Sequence, residues 1–184
     1  MRQDNVGSIA DGIRSRFLLR PDMRLMDFGA GTGLLLQRLA PHVGHITAVD
    51  VSPAMLSQLE AKRGEIDCTL DLVEADLTKT LLEHQFDGII SSMTFHHIDD
   101  VMGLLQRLRP MLNDGGFIAV ADLETEDGSF HENLDEGIFH FGFEPEVFWQ
   151  WAEVAGYRGV QVQRVSVIKK PHGDYPVFLL TAQV

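Results

Sequence analysis

Apolar runs of strand length alternate with amphipathic stretches of helix length through most of this sequence, and few folds accommodate that order. It is the pattern of strand and helix repeats that build a parallel sheet covered on both faces, a doubly wound α/β architecture. Strands are predicted at Arg24 to Phe28, His45 to Asp50, Thr69 to Glu74, Phe86 to Ser91 and Gly116 to Ala121. Helices are predicted between them at Gly33 to Ala40, Pro53 to Arg63 and Asp100 to Leu112, where Leu, Met and Ile recur at helical spacing. Ser52 ahead of Pro53 suits a capped first turn, and Asp99-Asp100 suits the next cap. Asn113-Asp114-Gly115-Gly116 reads as a helix stop and tight turn. Beyond Ala121 the order changes to a helix from about Pro145 to Ala155, closed by Gly156, and two strand-like segments, Val160 to Ile168 and Pro176 to Ala182. Their short connection permits only antiparallel pairing, so the sheet is predicted to end in a hairpin. With 184 residues, no internal repeat and no linker, the chain reads as a single domain over residues 1–184.

The chemistry concentrates behind the first strand. Met26-Asp27-Phe28-Gly29-Ala30-Gly31-Thr32-Gly33 leaves that strand and opens a helix, and glycines there let a ligand lie against bare backbone at a helix N-terminus. The second strand ends in Val49-Asp50, which presents an acid beside the loop, where it can accept two hydrogen bonds from a ribose diol. A dinucleotide site wants G-x-G-x-x-G, and its last position here is Leu34, which disfavours a nicotinamide-dependent oxidoreductase. The spacing is D-x-G-x-G-x-G, with Asp27 placed where a pyrophosphate would be poorly served and a cationic head well served. No Lys follows the glycines, so the phosphate loop of nucleoside triphosphatases is excluded too.

These segments resemble the class I S-adenosylmethionine-dependent methyltransferases, nearest in look to the small-molecule enzymes of the ubiquinone and menaquinone biosynthesis type. The resemblance rests on Asp27 to Gly33, Ala48 to Met55, Val73 to Leu77, Phe86 to Ile90 and Leu108 to Leu112 leading to Gly115-Gly116. It implies a Rossmann-like, doubly wound, seven-stranded sheet, mostly parallel with an antiparallel last strand, and S-adenosyl-L-methionine as cofactor. It further implies that Asp27 and the backbone of Gly29, Ala30, Gly31 and Gly33 face the methionine part and that Asp50 holds the ribose. Val51 and Met55 would then pack on the adenine, Asp76 and the Leu77 amide would read its edge, and Ser91 and Ser92 would border the sulfonium. A plain helix cap is the alternative role for Asp76. The resemblance also makes residues 1–20 a helical cap, with Ile9, Ile13 and Phe17 toward the acceptor, and residues 122–143 an insertion over the active site.

A sulfonium is already an activated electrophile, so the protein mainly aligns a nucleophile and excludes water. If the acceptor is a hydroxyl or an acidic carbon, a base helps, and His96 and His97 in Ser92-Met93-Thr94-Phe95-His96-His97 are the catalytic candidates. Their alternative role is to cap or pack the following helix. Adjacent histidines diverge and no further ligand has metal spacing, so no metal site is expected. Ser91-Ser92-Met93-Thr94 departs from the Asn/Asp-Pro-Pro-Tyr/Phe signature of amino-group enzymes acting on nucleobases or glutamine. The lone Cys68 excludes a disulfide framework and argues against an arsenite methyltransferase.

Formal charge is −12, and nine acids with no Lys or Arg fall between Asp122 and Glu146. That balance argues against nucleic acid and anionic membrane partners. Seven aromatics, Phe130, Phe139, Phe141, Phe143, Phe148, Trp149 and Trp151, overlap this stretch between Phe130 and Trp151. Aromatics with unpaired acids suit a cationic acceptor; alternatively the rings pack the insertion on the sheet and the acids solvate it. The start of the chain lacks the apolar core of a signal peptide, so a cytoplasmic monomer or homodimer acting on a small molecule is expected. The alternative function is a catalytically silent, cofactor-binding regulator or subunit.

Overall fold

The computed structural model describes residues 2–131 and 137–184, with side chains from Asn5 onward. Among the described residues, seven strands form one sheet: β1 (Arg24–Phe28), β2 (His45–Asp50), β3 (Thr69–Glu74), β4 (Phe86–Ser92), β5 (Leu112–Leu123), β6 (Arg158–Lys170) and β7 (Gly173–Gln183). Their order is β3-β2-β1-β4-β5-β7-β6. Strands β1 to β5 pair in parallel, whereas β7 runs against both β5 and β6. The predicted terminal hairpin is present, with both strands longer than expected and only Pro171 and His172 between them.

The helices are α1 (Arg2–Arg16), α2 (Leu34–Leu39), α3 (Pro53–Glu60), α4 (Val101–Leu108) and α5 (Pro145–Val154). The Ser52 hydroxyl caps α3 by accepting from the Met55 amide, and the Asp100 carboxylate caps α4 by accepting from the Gly103 amide. The predicted helices α3 and α4 run shorter: α3 ends at Glu60, with a separate 3₁₀ turn at Arg63–Glu65, and the last turn of α4, Arg109–Met111, tightens into 3₁₀ geometry. The turn predicted at Asn113 to Gly116 falls inside β5. Pairing with β4 shifts register there, and Gly115 takes φ +76° within the irregularity.

Period-two alternation assigns the strands' apolar residues to two cores. Leu25, Ile90, Phe117, Ala119 and Leu179 face one layer, which also holds Ile9, Ile13, Leu36 and Leu39. Met26, Ile89, Ile118, Val120 and Leu180 face the other, with Leu104, Leu105, Leu108, Phe148 and Ala152. The N-terminal segment is thus part of the first core: Phe17 stacks on Phe117 with ring centroids 4.2 Å apart. Beyond β5 the chain loops out and returns through a narrow neck. Thr125 and Glu126 amides donate to the carbonyls of Phe143 and Phe141, and the Phe143 amide donates to Leu123.

Candidate active site

The C-terminal ends of β1, β2 and β4 open onto a cleft of about 950 Å³, at the edge where open α/β sheets place their ligands. Asp50 closes its floor. One carboxylate oxygen accepts from the Gly31 amide at 2.7 Å and the other from the Ser52 amide at 2.9 Å. A carboxylate has about four acceptor sites, so Asp50 clamps the glycine loop and α3 while keeping capacity toward the cleft. Gly29, at φ +69°, could carry no side chain, since a Cβ there would meet the Thr94 hydroxyl at 2.2 Å. A Cβ on Gly31 would meet nothing within 4 Å and would project into open space. Val51 and Met55 line the cleft and are 66% and 39% exposed, an apolar face with no protein neighbour covering it.

The remaining predicted cofactor residues divide. Asp76 lines the cleft, but its oxygens also serve a local turn: one accepts from the Thr78 amide and hydroxyl, and the other pairs with Lys79 at 2.7 Å. Lys79 first, then Thr78, hold its carboxyl below the usual range. Asp27, Ala30, Gly33, Leu77, Ser91 and Ser92 stand behind the lining residues. The Ser91 hydroxyl is buried and donates to the Phe28 carbonyl at 2.7 Å, tying β4 to the end of β1. Met93 and Thr94 border the cleft in its place, and Met93 is strained at φ 58°. Asp27 is 2% exposed, and its Oδ2 has no partner. Burial, and then the charge of Asp50, push its carboxyl up to about 8.

The two candidate bases occupy different settings. His97 lines the cleft, and its Nδ1 lies 3.1 Å from the Gly137 carbonyl. His96 is buried, and its Nδ1 lies 2.7 Å from Asp122. Met93, Thr94 and Phe139, singled out within longer segments, line the cleft, whereas lining residues that sequence reasoning missed include Thr78, Lys79, Ile98, Gly103, Leu104 and Arg107. Arg107 carried the one available signal, since it follows Leu104 by three residues on α4; its Nε donates to the Leu77 carbonyl.

The acidic stretch is less available than its composition suggests. Glu124 holds Arg164 in a bidentate pair at 2.5 and 2.8 Å, Glu126 accepts from the Phe130 amide, and Asp127 accepts from Ser129. Glu144 and Glu146 sit at the start of α5, where negative charge is favoured. None of these acids lines the cleft, and Glu132, Asp135 and Glu136 lie outside the described residues. Phe143, Phe148 and Trp151 pack in the second core, whereas Phe139 reaches the cleft.

Residues 26–118 match the family model described as a methyltransferase domain. The chain belongs to the class I S-adenosylmethionine-dependent methyltransferases. Among relatives of this family, an uncharacterized methyltransferase of Schizosaccharomyces pombe is 32% identical over 148 residues, covering 72% of this chain and 52% of that protein. A malonyl-[acyl-carrier protein] O-methyltransferase of Ilyobacter polytropus is 33% identical over 97 residues, covering 52% of this chain and 36% of that one. The chain thus spans about half the length, or less, of these curated relatives. A solved structure of phosphoethanolamine N-methyltransferase 2 from Haemonchus contortus, in complex with S-adenosyl-L-methionine, shares the fold. Its TM-score is 0.75 at 18% identity, over 95% of this chain and 51% of that one. No helix among the described residues is long and apolar enough to cross a membrane.

Proposed function

We propose that this methyltransferase binds S-adenosylmethionine along the cleft and transfers its methyl group to a small-molecule acceptor. The observation that carries the reading is Asp50, a carboxylate in the cleft lining fixed by the Gly31 and Ser52 amides and still open to a diol. Three further features fit the cofactor: the open backbone at Gly31, the uncovered faces of Val51 and Met55, and the unpartnered Asp27 oxygen. Asp50 holds the ribose, Val51 and Met55 flank the adenine, and Asp76 with the Leu77 amide reads its edge. Gly29 and Gly31 approach the methionine part, with Asp27 behind them. When bound, the cofactor supplies an electrophilic methyl on a sulfonium and keeps the carbon–sulfur electron pair as it leaves. The chain itself aligns the acceptor, excludes water with Met93, Thr94 and Phe139, and removes a proton through His96 or His97.

A small acceptor suits the cleft, where the two bases in the described lining are already engaged, Lys79 with Asp76 and Arg107 with the Leu77 carbonyl, and form no track for a nucleic acid backbone. The names of the relatives divide between oxygen and nitrogen acceptors, so the acceptor is argued from the residues of this chain. Calorimetry tests the reading: S-adenosylhomocysteine binds the wild type, and Asp50→Ala loses most of that affinity. Unchanged affinity in the variant refutes the site. Binding without transfer to any member of a broad acceptor panel would instead make the chain a cofactor-binding regulator.

A further inference from the structure

Asp122 enters the sequence only as the first acid of the acidic stretch, yet it is the most enclosed of the polar groups near the cleft. Alternation along β5 turns its side chain toward the layer of α4 and α5, and it is 0% exposed. Its carboxylate accepts from the His96 amide at 3.2 Å and from the Leu123 amide at 2.8 Å, and it lies 2.7 Å from His96 Nδ1. A carboxylate oxygen so placed requires the proton on Nδ1, which leaves the lone pair of His96 on Nε2. No described residue bonds that nitrogen. The ring lies 4.2 Å from that of His97, which lines the cleft, and 5.0 Å from that of His131.

A second, independent feature adjoins the pair. His131 Nε2 and Glu126 Oε1 are both buried without a hydrogen-bond partner. Folded proteins rarely leave such atoms unsatisfied, and a ligand or water is the usual reason. The segment carrying them is held firmly: Lys170 donates to the Phe130 carbonyl and sits 4.0 Å from the Phe130 ring, and Ser129 bonds the Tyr175 hydroxyl at 2.6 Å. Among the described residues, the charged and titratable groups around His96 and His131 are Asp122 from β5, His97 beside them, Glu126 from the loop and Lys170 from β6. Among the described groups, three imidazoles and an ammonium stand against two carboxylates, one of them sealed. They suit a neutral molecule that can donate and accept hydrogen bonds.

We propose that His96, His131 and Glu126 form an acceptor subsite for a hydroxyl-bearing molecule, in which His96 takes the hydroxyl proton and Asp122 positions it. The proposal rests on the reading that the chain transfers a methyl group. The proton passes from oxygen to Nε2 as the oxygen lone pair forms its bond to the methyl carbon. The carbon–sulfur pair stays with sulfur, and the imidazolium, held by Asp122, returns the proton to water. Asp122 touches no reacting atom and acts only as a positioning residue. Burial, reinforced by its histidine neighbours, keeps His131 below the usual imidazole range, so it stays neutral and hydrogen-bonds the acceptor without competing for the proton.

The test uses the full chain, S-adenosylhomocysteine and 4-nitrophenol, whose absorbance reports its own ionisation. The wild type binds both, and the bound phenol is shifted toward phenolate at a pH below its midpoint in free solution. In His96→Gln and Asp122→Asn that shift falls by about tenfold, one pH unit in apparent midpoint, while S-adenosylhomocysteine affinity is retained. Nitrogen NMR of the wild type shows His96 protonated on Nδ1, Asp122→Asn loses that tautomer, and Asp122→Glu restores it. Should Asp122→Asn fold poorly, His131→Gln loses phenol affinity with cofactor-product affinity unchanged. Retention of S-adenosylhomocysteine binding without phenol binding overturns the subsite, as does unaltered phenol ionisation in the variants or preferential binding of ethanolamine. Loss of S-adenosylhomocysteine binding in the wild type overturns instead the reading beneath it.

Discussion

The two halves of the cleft are built in opposite ways. On the donor side two cleft-lining carboxylates are held by chain neighbours or by the adjacent strand end: Asp50 by Gly31 and Ser52, Asp76 by Thr78 and Lys79. On the acceptor side the partners are remote: His96 with Asp122, Phe130 with Lys170, Glu124 with Arg164. Local turns recur as recognisable spacings, whereas remote pairs leave no mark in the order of residues. On the proposed reading, donor binding would therefore stand on a few strand-end residues and acceptor recognition on the closed tertiary structure.

Four changes would sharpen or break that contrast. The largest effect is expected from Asp27, whose carboxyl is raised to about 8 in the folded chain from an ordinary value of 3.8. A raised carboxyl contributes stability that is complete below the unfolded value and is lost as pH rises through the folded one. The wild type should therefore lose about 1.4 kcal/mol per pH unit from this group between roughly pH 4 and 8. Denaturation of Asp27→Asn across that range should show a flatter profile; identical profiles would mean that Asp27 is not protonated when buried. Next, Asp50→Ala should weaken S-adenosylhomocysteine binding by about a hundredfold, near 2.7 kcal/mol, with no effect on the phenol probe. Equal losses of both ligands would erase the division between the halves.

Asp76→Ala should cost about tenfold in the same calorimetric titration and little in stability, because its partner Lys79 is largely exposed. A pure capping role would give the reverse, a loss of stability with unchanged affinity. Smallest of all, Arg164→Ala removes an ion pair whose arginine is 58% exposed, worth at most about 1 kcal/mol. Chemical denaturation should barely register it, while the phenol probe should bind more weakly as the loop loses one anchor. Unaltered probe binding would show that Lys170 and the neck alone fix the loop.

The architecture was legible because period-two strands and capped helices write their geometry locally: Ser52 and Asp100 cap where they were expected to. The antiparallel end of the sheet followed from a connection too short for anything else. Helix ends and the β5 irregularity at Asn113 to Gly116 were misjudged, because tightening of a last turn and register shifts depend on what packs alongside. In the site, Asp50, Val51, Met55, Gly29 and Gly31 line the cleft as their positions suggested. Ser91 does not, since one residue of strand alternation turns it into the sheet. Asp122 was counted only as one acid of the stretch, because an acid among acids carries no sign of the histidine, 26 residues before it, that it meets.

The narrow neck of the loop after β5 has a consequence for how this chain can change. Its outgoing and returning strands are stitched together at Thr125, Glu126 and Phe143, so whatever lies beyond leaves and rejoins the domain at one point. Closing such a loop costs only about 0.6 kcal/mol more for each doubling of its length. Insertions or deletions beyond the neck therefore cost little in closure entropy, and they reach the cleft through Gly137 and Phe139, which line it. The neck is a graft junction: if the proposed acceptor side is right, new acceptor preferences would enter the domain through it.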